Sequence, residues 1–199
     1  MNLQHYDQTF YDAPNDVLLQ ENDCLSSIIR AIPLKDAICL DFGCGTGYWT
    51  SLMAKEGGTV FGIDSQKELF GKLRSSENLK FVLSDTSIIP FVDNYFDVVL
   101  VSWVFQEIVQ DSLLRAALSE IRRVIKIDGR LIIAENIYPK SRRLVRNTSL
   151  GTIFENEGQP DSLRFFPQNS VQTLTAEYNF VLASQSFCGE SFFEVFQRI

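Results

Sequence analysis

A chain of 199 residues, 45% hydrophobic and 22% charged, has the composition of a water-soluble globular protein and is long enough to bury a full core. Its formal charge of −7 argues against a broad nucleic-acid or anionic-membrane surface, since both need basic patches. No run reaches the roughly 18 apolar residues of a membrane-spanning helix, and a single histidine, His5, excludes a site with several histidine ligands, so no metal is expected.

In chain order, Met1 to Asp12 reads as an irregular arm with the aromatic anchors Tyr6, Phe10 and Tyr11, polar and without a signal-peptide core. From Pro14 to Ile32, Val17, Leu18, Leu25, Ile28, Ile29 and Ile32 recur at helical spacing, and Pro33 ends the helix. This helix either packs on a sheet or forms a lid with Tyr6 or Tyr11 over a ligand. A first strand is expected over Ala37 to Asp41. It runs into Gly43-Cys44-Gly45-Thr46-Gly47 and a helix from Thr46 to Lys55, stopped by Gly57-Gly58. A second strand covers Thr59 to Ile63 and ends at Asp64; a second helix covers Ser65 to Arg74, capped by Asp64 or Ser65. Leu79 to Leu83 is a third strand, followed by Ser84-Asp85-Thr86. After a turn at Asp93-Asn94, the almost wholly apolar Phe96 to Trp103 reads as a strand covered on both faces.

Asp111 to Lys126 carries Leu114, Leu118, Ile121 and Ile125 on one helical face, and Asp128-Gly129 turns into a strand over Arg130 to Glu135. The alternation then breaks. Asn136 to Phe166 contains Pro139, Gly151, Gly158 and Pro160, a basic cluster of Lys140, Arg142, Arg143 and Arg146, and enough apolar side chains for a packed cap over the site rather than disorder. A helix from Gln168 to Tyr178 follows, and the strands Val181 to Phe187 and Phe192 to Ile199 are joined closely enough for a hairpin, which makes the last strand antiparallel. Strand–helix alternation through residue 135 implies a parallel sheet with helices on both faces, in one domain over 1–199 with an N-terminal arm and helix (1–33) and a cap insertion (136–166). None of the four cysteines forms a Cys-x-x-Cys pair, and Cys39 lies in an apolar strand, so reduced thiols and a cytoplasmic location are expected.

In an open parallel sheet, ligands bind beyond the C-terminal strand ends. Those ends carry Asp41 with its glycines, Asp64, Asp85, Ser102-Trp103 and Glu135. A single carboxylate there can be only a helix cap; three above a glycine turn point to a ligand. The glycines permit close backbone approach, and a helix N-terminus behind them favours a negative ligand group. Asp64, 23 residues after Asp41, can accept from both hydroxyls of an unphosphorylated ribose, and Asp85 from an exocyclic amine. The nicotinamide fingerprint needs a third glycine where Tyr48 stands.

Asp41-x-Gly43-x-Gly45-x-Gly47, with Asp64 and Asp85, resembles the motifs of class I S-adenosylmethionine-dependent methyltransferases of the small-molecule, methyltransferase 11 type, over about Ile38 to Glu135. The resemblance implies an α/β fold: a Rossmann-like, doubly wound, seven-stranded sheet, mostly parallel with an antiparallel last strand, in the order 3-2-1-4-5-7-6. It implies S-adenosyl-L-methionine as cofactor. Asp41 would sit near the methionine amine, and Gly43, Gly45 and Gly47 against the cofactor. Asp64 and Ser65 would hold ribose and adenine, Asp85 and Thr86 the adenine amine, and Ser102, Trp103 and Phe105 would flank the cofactor and face the acceptor. The implied activity is methyl transfer to a small-molecule acceptor, with a non-catalytic cofactor-binding regulatory or assembly protein as the alternative. His5, Glu107, Glu135 and Tyr138 are candidate bases, and Arg142, Arg143 and Arg146 candidate anion binders or a solvated face. No nucleic acid or membrane partner is expected.

Overall fold

The computed structural model describes residues 16–70, 73–85, 87–137, 144–155, 162–167 and 169–199. The arm with His5, Tyr6 and Tyr11, and Thr86, Tyr138, Lys140, Arg142 and Arg143, lie outside these residues.

A seven-stranded sheet runs through the molecule. Its strands are β1 (Ile38–Phe42), β2 (Thr59–Asp64), β3 (Leu79–Leu83), β4 (Phe96–Ser102), β5 (Ile125–Asn136), β9 (Phe180–Cys188) and β10 (Ser191–Arg198). Their order is β3-β2-β1-β4-β5-β10-β9, the expected order once the cap strands are set aside. The first five are mutually parallel, and β10 is antiparallel to both β5 and β9. Among the described residues, four α-helices flank the sheet: α1 (Asp16–Ala31), α2 (Tyr48–Lys55), α3 (Asp111–Val124) and α4 (Ser170–Ala176).

Successive strand residues feed two separate cores, as the two-residue period of a strand requires. Leu40, Val99, Val101 and Ile133 pack with Leu114, Leu118 and Ile121 of α3 and Leu174 of α4. Cys39, Val98, Leu100 and Ile132 point the other way, onto Leu25 and Ile29 of α1 and Trp49 and Met53 of α2. α3 forms because Leu114, Leu118 and Ile121 repeat on one face, with Asp111 in the first turn and Arg122 and Arg123 in the last, each sign suited to the helix dipole. Each of those buried aliphatic side chains contributes roughly 1.5–3 kcal/mol.

Three expectations are corrected. The helix expected over Ser65 to Arg74 is, in the described residues, a single 3-10 turn, Lys67–Leu69. Asp64 takes the Gln66 N–H at 2.9 Å, so the carboxylate shapes the turn that leads into it. The turn expected at Asp128-Gly129 is a kink inside β5, with Asp128 at φ 64° and a register shift against β4, so that strand begins at Ile125. The cap is not irregular: β6 (Leu144–Thr148), β7 (Gly151–Glu155) and β8 (Ser162–Phe165) make an antiparallel sheet of their own, with Phe154, Leu163 and Phe165 buried together.

The thiols divide. Cys39 and Cys44 are free and buried, as expected of reduced residues, whereas Cys24 of α1 is bonded to Cys188 at the end of β9. No described helix is long and apolar enough to cross a membrane.

Candidate functional site

β1 ends at the glycine loop, and the loop is built by its own hydrogen bonds. The N–H groups of Gly43 and Cys44 both donate to the Ile63 carbonyl at 2.9 Å, and that of Gly47 donates to the Cys44 carbonyl at 2.8 Å. The Gly45 N–H donates to Asp64 Oδ2 at 2.9 Å. These donors are therefore used inside the protein, and the anion that meets the loop is Asp64 itself. The expected attraction of a negative ligand group to this loop is corrected accordingly. Glycine at 43 is a packing requirement, since a Cβ there would lie 2.4 Å from a Val104 methyl. Gly47 is the left-handed residue that opens α2.

Beyond the C-terminal ends of β1, β2, β3 and β4 lies a cleft of about 310 Å3. It brings together eight of the sequence-predicted site residues: Gly43, Gly45, Asp64, Ser65, Asp85, Ser102, Trp103 and the candidate base Glu107. Asp41, Gly47 and Phe105 do not line it, and Thr86 is outside the described residues. Asp41 lies wholly buried behind the loop, where its Oδ2 accepts from the Thr50 hydroxyl at 2.6 Å and its Oδ1 has no partner. Burial pushes its carboxyl up to about 7 against the pull of the Thr50 bond, and the nearby Asp64 charge adds to the rise.

Each Asp64 oxygen holds one backbone N–H, Gly45 on Oδ2 and Gln66 on Oδ1, so the carboxylate braces two turns while keeping a further lone pair on each oxygen. Asp85 Oδ1 similarly accepts from the Ser87 N–H at 2.8 Å. Trp103 is held at φ 54°, an unusual angle for a non-glycine residue. Its indole N–H donates to Asn136 Oδ1 and Ser191 Oγ, and its ring packs between Trp49 and Phe193.

Sequence reasoning missed the far wall. Ile108, Val109, Gln110 and Leu113 line the cleft beside Glu107, which alone on this wall was among the candidate bases. No motif marks these residues; the available signal was that they follow a strand whose end faces the site. Among the described lining residues the charged groups are Asp64, Asp85 and Glu107, with no cation. Glu135 is not in the cleft. It is completely buried, its two oxygens accept the N–H groups of Phe105 (2.7 Å) and Gln106 (3.2 Å), and burial pushes its carboxyl well above the ordinary range against those bonds. Arg146 reaches the Val109 carbonyl at 3.3 Å, outside the cleft lining. Among the described residues the cap contributes no lining side chain, and no cluster of metal-ligating side chains occurs.

Residues 40–133 match the family model described as a methyltransferase domain. The chain is 31% identical over 132 residues to a demethylmenaquinone methyltransferase of Clavibacter sepedonicus, covering 63% of this chain and 53% of that protein. It is 37% identical over 112 residues to the demethylmenaquinone methyltransferase of Staphylococcus aureus strain JH9, covering 53% of this chain and 45% of that protein. The chain thus spans about half the length of the curated relatives it matches. A solved structure, the 1,6-didemethyltoxoflavin-N1-methyltransferase of Burkholderia thailandensis with bound S-adenosylhomocysteine, shares the fold at a TM-score of 0.74 and 19% identity, over 89% of this chain and 78% of that one. Residues 40–133, just under half of the chain, thus resemble a methyltransferase domain, and the fold is the one that this solved methyltransferase shares.

Proposed function

We propose that the protein binds S-adenosyl-L-methionine in this cleft and transfers its methyl group to a small-molecule acceptor. The observation that carries the proposal is the convergence of Asp64, Asp85 and the backbone of Gly43 and Gly45 on one cleft that lacks a described cation. A dinucleotide would need the loop N–H groups for its pyrophosphate, but those of Gly43, Cys44 and Gly45 are engaged, the last by a carboxylate. A ligand with a ribose, an amine and a positive sulfonium suits the same site.

Asp64 would accept from the ribose hydroxyls with its remaining lone pairs, and Asp85 would accept from the adenine amine, with Ser65 beside it. The bound cofactor supplies an electrophilic methyl group, so the protein's part is alignment, charge complementarity and exclusion of water. Ile108, Val109 and Leu113 give the far wall an apolar surface for a flat or aliphatic acceptor. Glu107, on that wall, is the described carboxylate placed to take a proton from an acceptor that must lose one. Glu135 is reserved for the Phe105 and Gln106 N–H groups. The names of the two curated relatives make reduced demethylmenaquinone a first acceptor to test.

Calorimetry with S-adenosylhomocysteine and with NAD, followed by transfer from labelled cofactor to a metabolite panel that includes reduced demethylmenaquinone, tests the proposal. Binding of S-adenosylhomocysteine and a labelled product are expected. Binding of NAD alone would overturn the cofactor assignment, and binding with no product from any acceptor would replace the enzymatic reading by a regulatory one.

A further inference from the structure

The segment between β4 and α3 that carries most of the far wall opens with a 3-10 turn, Phe105–Glu107, and runs on to Gln110, and two buried ionisable side chains grip it from opposite sides. From β5, Glu135 takes the N–H groups of Phe105 and Gln106, and the neighbouring Asn136 amide donates to Gln106 Oε1 at 2.8 Å. From the cap, Arg164 of β8 is 0% exposed, and its guanidinium spans the other end of the segment. Its Nε donates to the Ile108 carbonyl at 2.9 Å, and its Nη2 to the Val109 carbonyl at 2.9 Å and Asp111 Oδ1 at 2.7 Å; its Nη1 is steadied by Thr148 Oγ1 at 3.0 Å. The Ile108 and Val109 carbonyls stand outside any regular ladder, so this fork supplies donors that secondary structure does not. Burial works to raise the Asp111 carboxyl, but the bonds from Arg164 and Ser149 outweigh it and hold the group below its ordinary value.

We propose that Arg164 is a positioning residue: from the cap sheet, and without touching the cleft, it fixes the backbone that presents Glu107, Ile108, Val109 and Gln110 to the acceptor. The cap then sets acceptor fit chiefly through this buried fork, to which Arg146 adds a longer, exposed bond to the Val109 carbonyl, and the glycine loop with Asp64 and Asp85 holds the cofactor independently of it. This rests on the methyl-transfer reading above.

Arg164→Lys keeps the charge but loses the planar fork that spans two carbonyls and a carboxylate. In the folded variant, amide exchange at 106–110 should accelerate at least tenfold while β1 and the loop at 42–47 exchange as before. The affinity for S-adenosylhomocysteine should stay within about threefold of wild type. KM for the methylated acceptor of the panel should rise about tenfold or more, with kcat changed by less than threefold. Wild-type exchange at 106–110, or an equal acceleration throughout β1 and β4, would overturn the assignment. If Arg164→Lys does not fold, Asp111→Asn weakens the same fork. Faster exchange confined to 106–110 then supports the proposal and unchanged exchange overturns it. If the wild-type protein methylates nothing in the panel, the methyl-transfer reading fails, while the exchange and binding measurements still decide the role of Arg164.

Discussion

The Asp41 carboxyl is buried completely, with one oxygen bonded to Thr50 and the other without a partner. Folding raises its pKa from 3.8 to about 7 through burial, so the native state keeps a proton that the unfolded chain has already released. That contribution to stability is fully present below the unfolded value and is lost as pH rises to about 7, at up to about 1.4 kcal/mol per pH unit. Asp97, Asp111 and Glu120, whose values are lowered, act in the opposite direction at more acid pH, so the comparison has to be differential. Urea unfolding of wild type and Asp41→Asn across this range should show the slope in wild type and a flatter profile in the variant; parallel profiles would remove Asp41 from the pH response.

Gly45 has φ 52° and lines the cleft, so a branched side chain there meets both an unfavourable backbone angle and the ligand's space. Gly45→Val should abolish measurable S-adenosylhomocysteine binding in calorimetry while circular dichroism shows the fold retained. Asp64→Ala should weaken binding by about 1.5–3 kcal/mol, the range for hydrogen bonds to a charged group. Because Asp64 also braces Gly45 and Gln66, the ligand-free melting temperature should fall with it. An unchanged affinity in the Asp64→Ala protein would mean that the carboxylate serves only the turns.

At the scale of elements, the cap should be separable from the cofactor cleft. Replacing 138–164 by a short glycine–serine linker removes Arg164 and leaves the Ile108 and Val109 carbonyls without their donor. Methyl transfer should be abolished and cofactor affinity kept within about tenfold, or about 1.4 kcal/mol; retained transfer would show the cap to be dispensable. The sequence made β1 to β4, α2 and α3 legible because each has a local signature: an apolar run with an acid or glycine at its end, or leucines at helical spacing. The cap sheet left none. Its strands are four or five residues long, and β6 exposes Leu144, Val145 and Arg146 where alternation would have marked a buried face. The cleft's near side was readable from Asp64, Asp85 and the glycines. Its far wall was not, because Ile108 and Val109 are fixed through their carbonyls by a side chain 55 and 56 positions away, and backbone partners leave no trace in residue type.

At the scale of the whole molecule, the Cys24–Cys188 bond joins positions 164 apart and ties α1 to the β9–β10 hairpin, where Glu21 also accepts the Glu190 N–H at 2.7 Å. Closing so long a loop restricts the unfolded chain, and its loss should cost about 2–4 kcal/mol. Ellman's reagent should find two thiols in the unfolded, unreduced protein and four after reduction. The native protein should react slowly, since Cys39 is buried and its thiol is pushed up to about 12 by that burial. Four thiols before reduction would break the assignment. The sheet order carries a different consequence, one of timing. β10 follows every other strand of the sheet in sequence yet fills the slot between β5 and β9, bonded to both. During synthesis β5 waits with a bare edge while more than fifty further residues are added, and β9 emerges with no neighbour to receive it. The sheet can close only when β10 has cleared the ribosome, so the β1–β4 half can fold before this one.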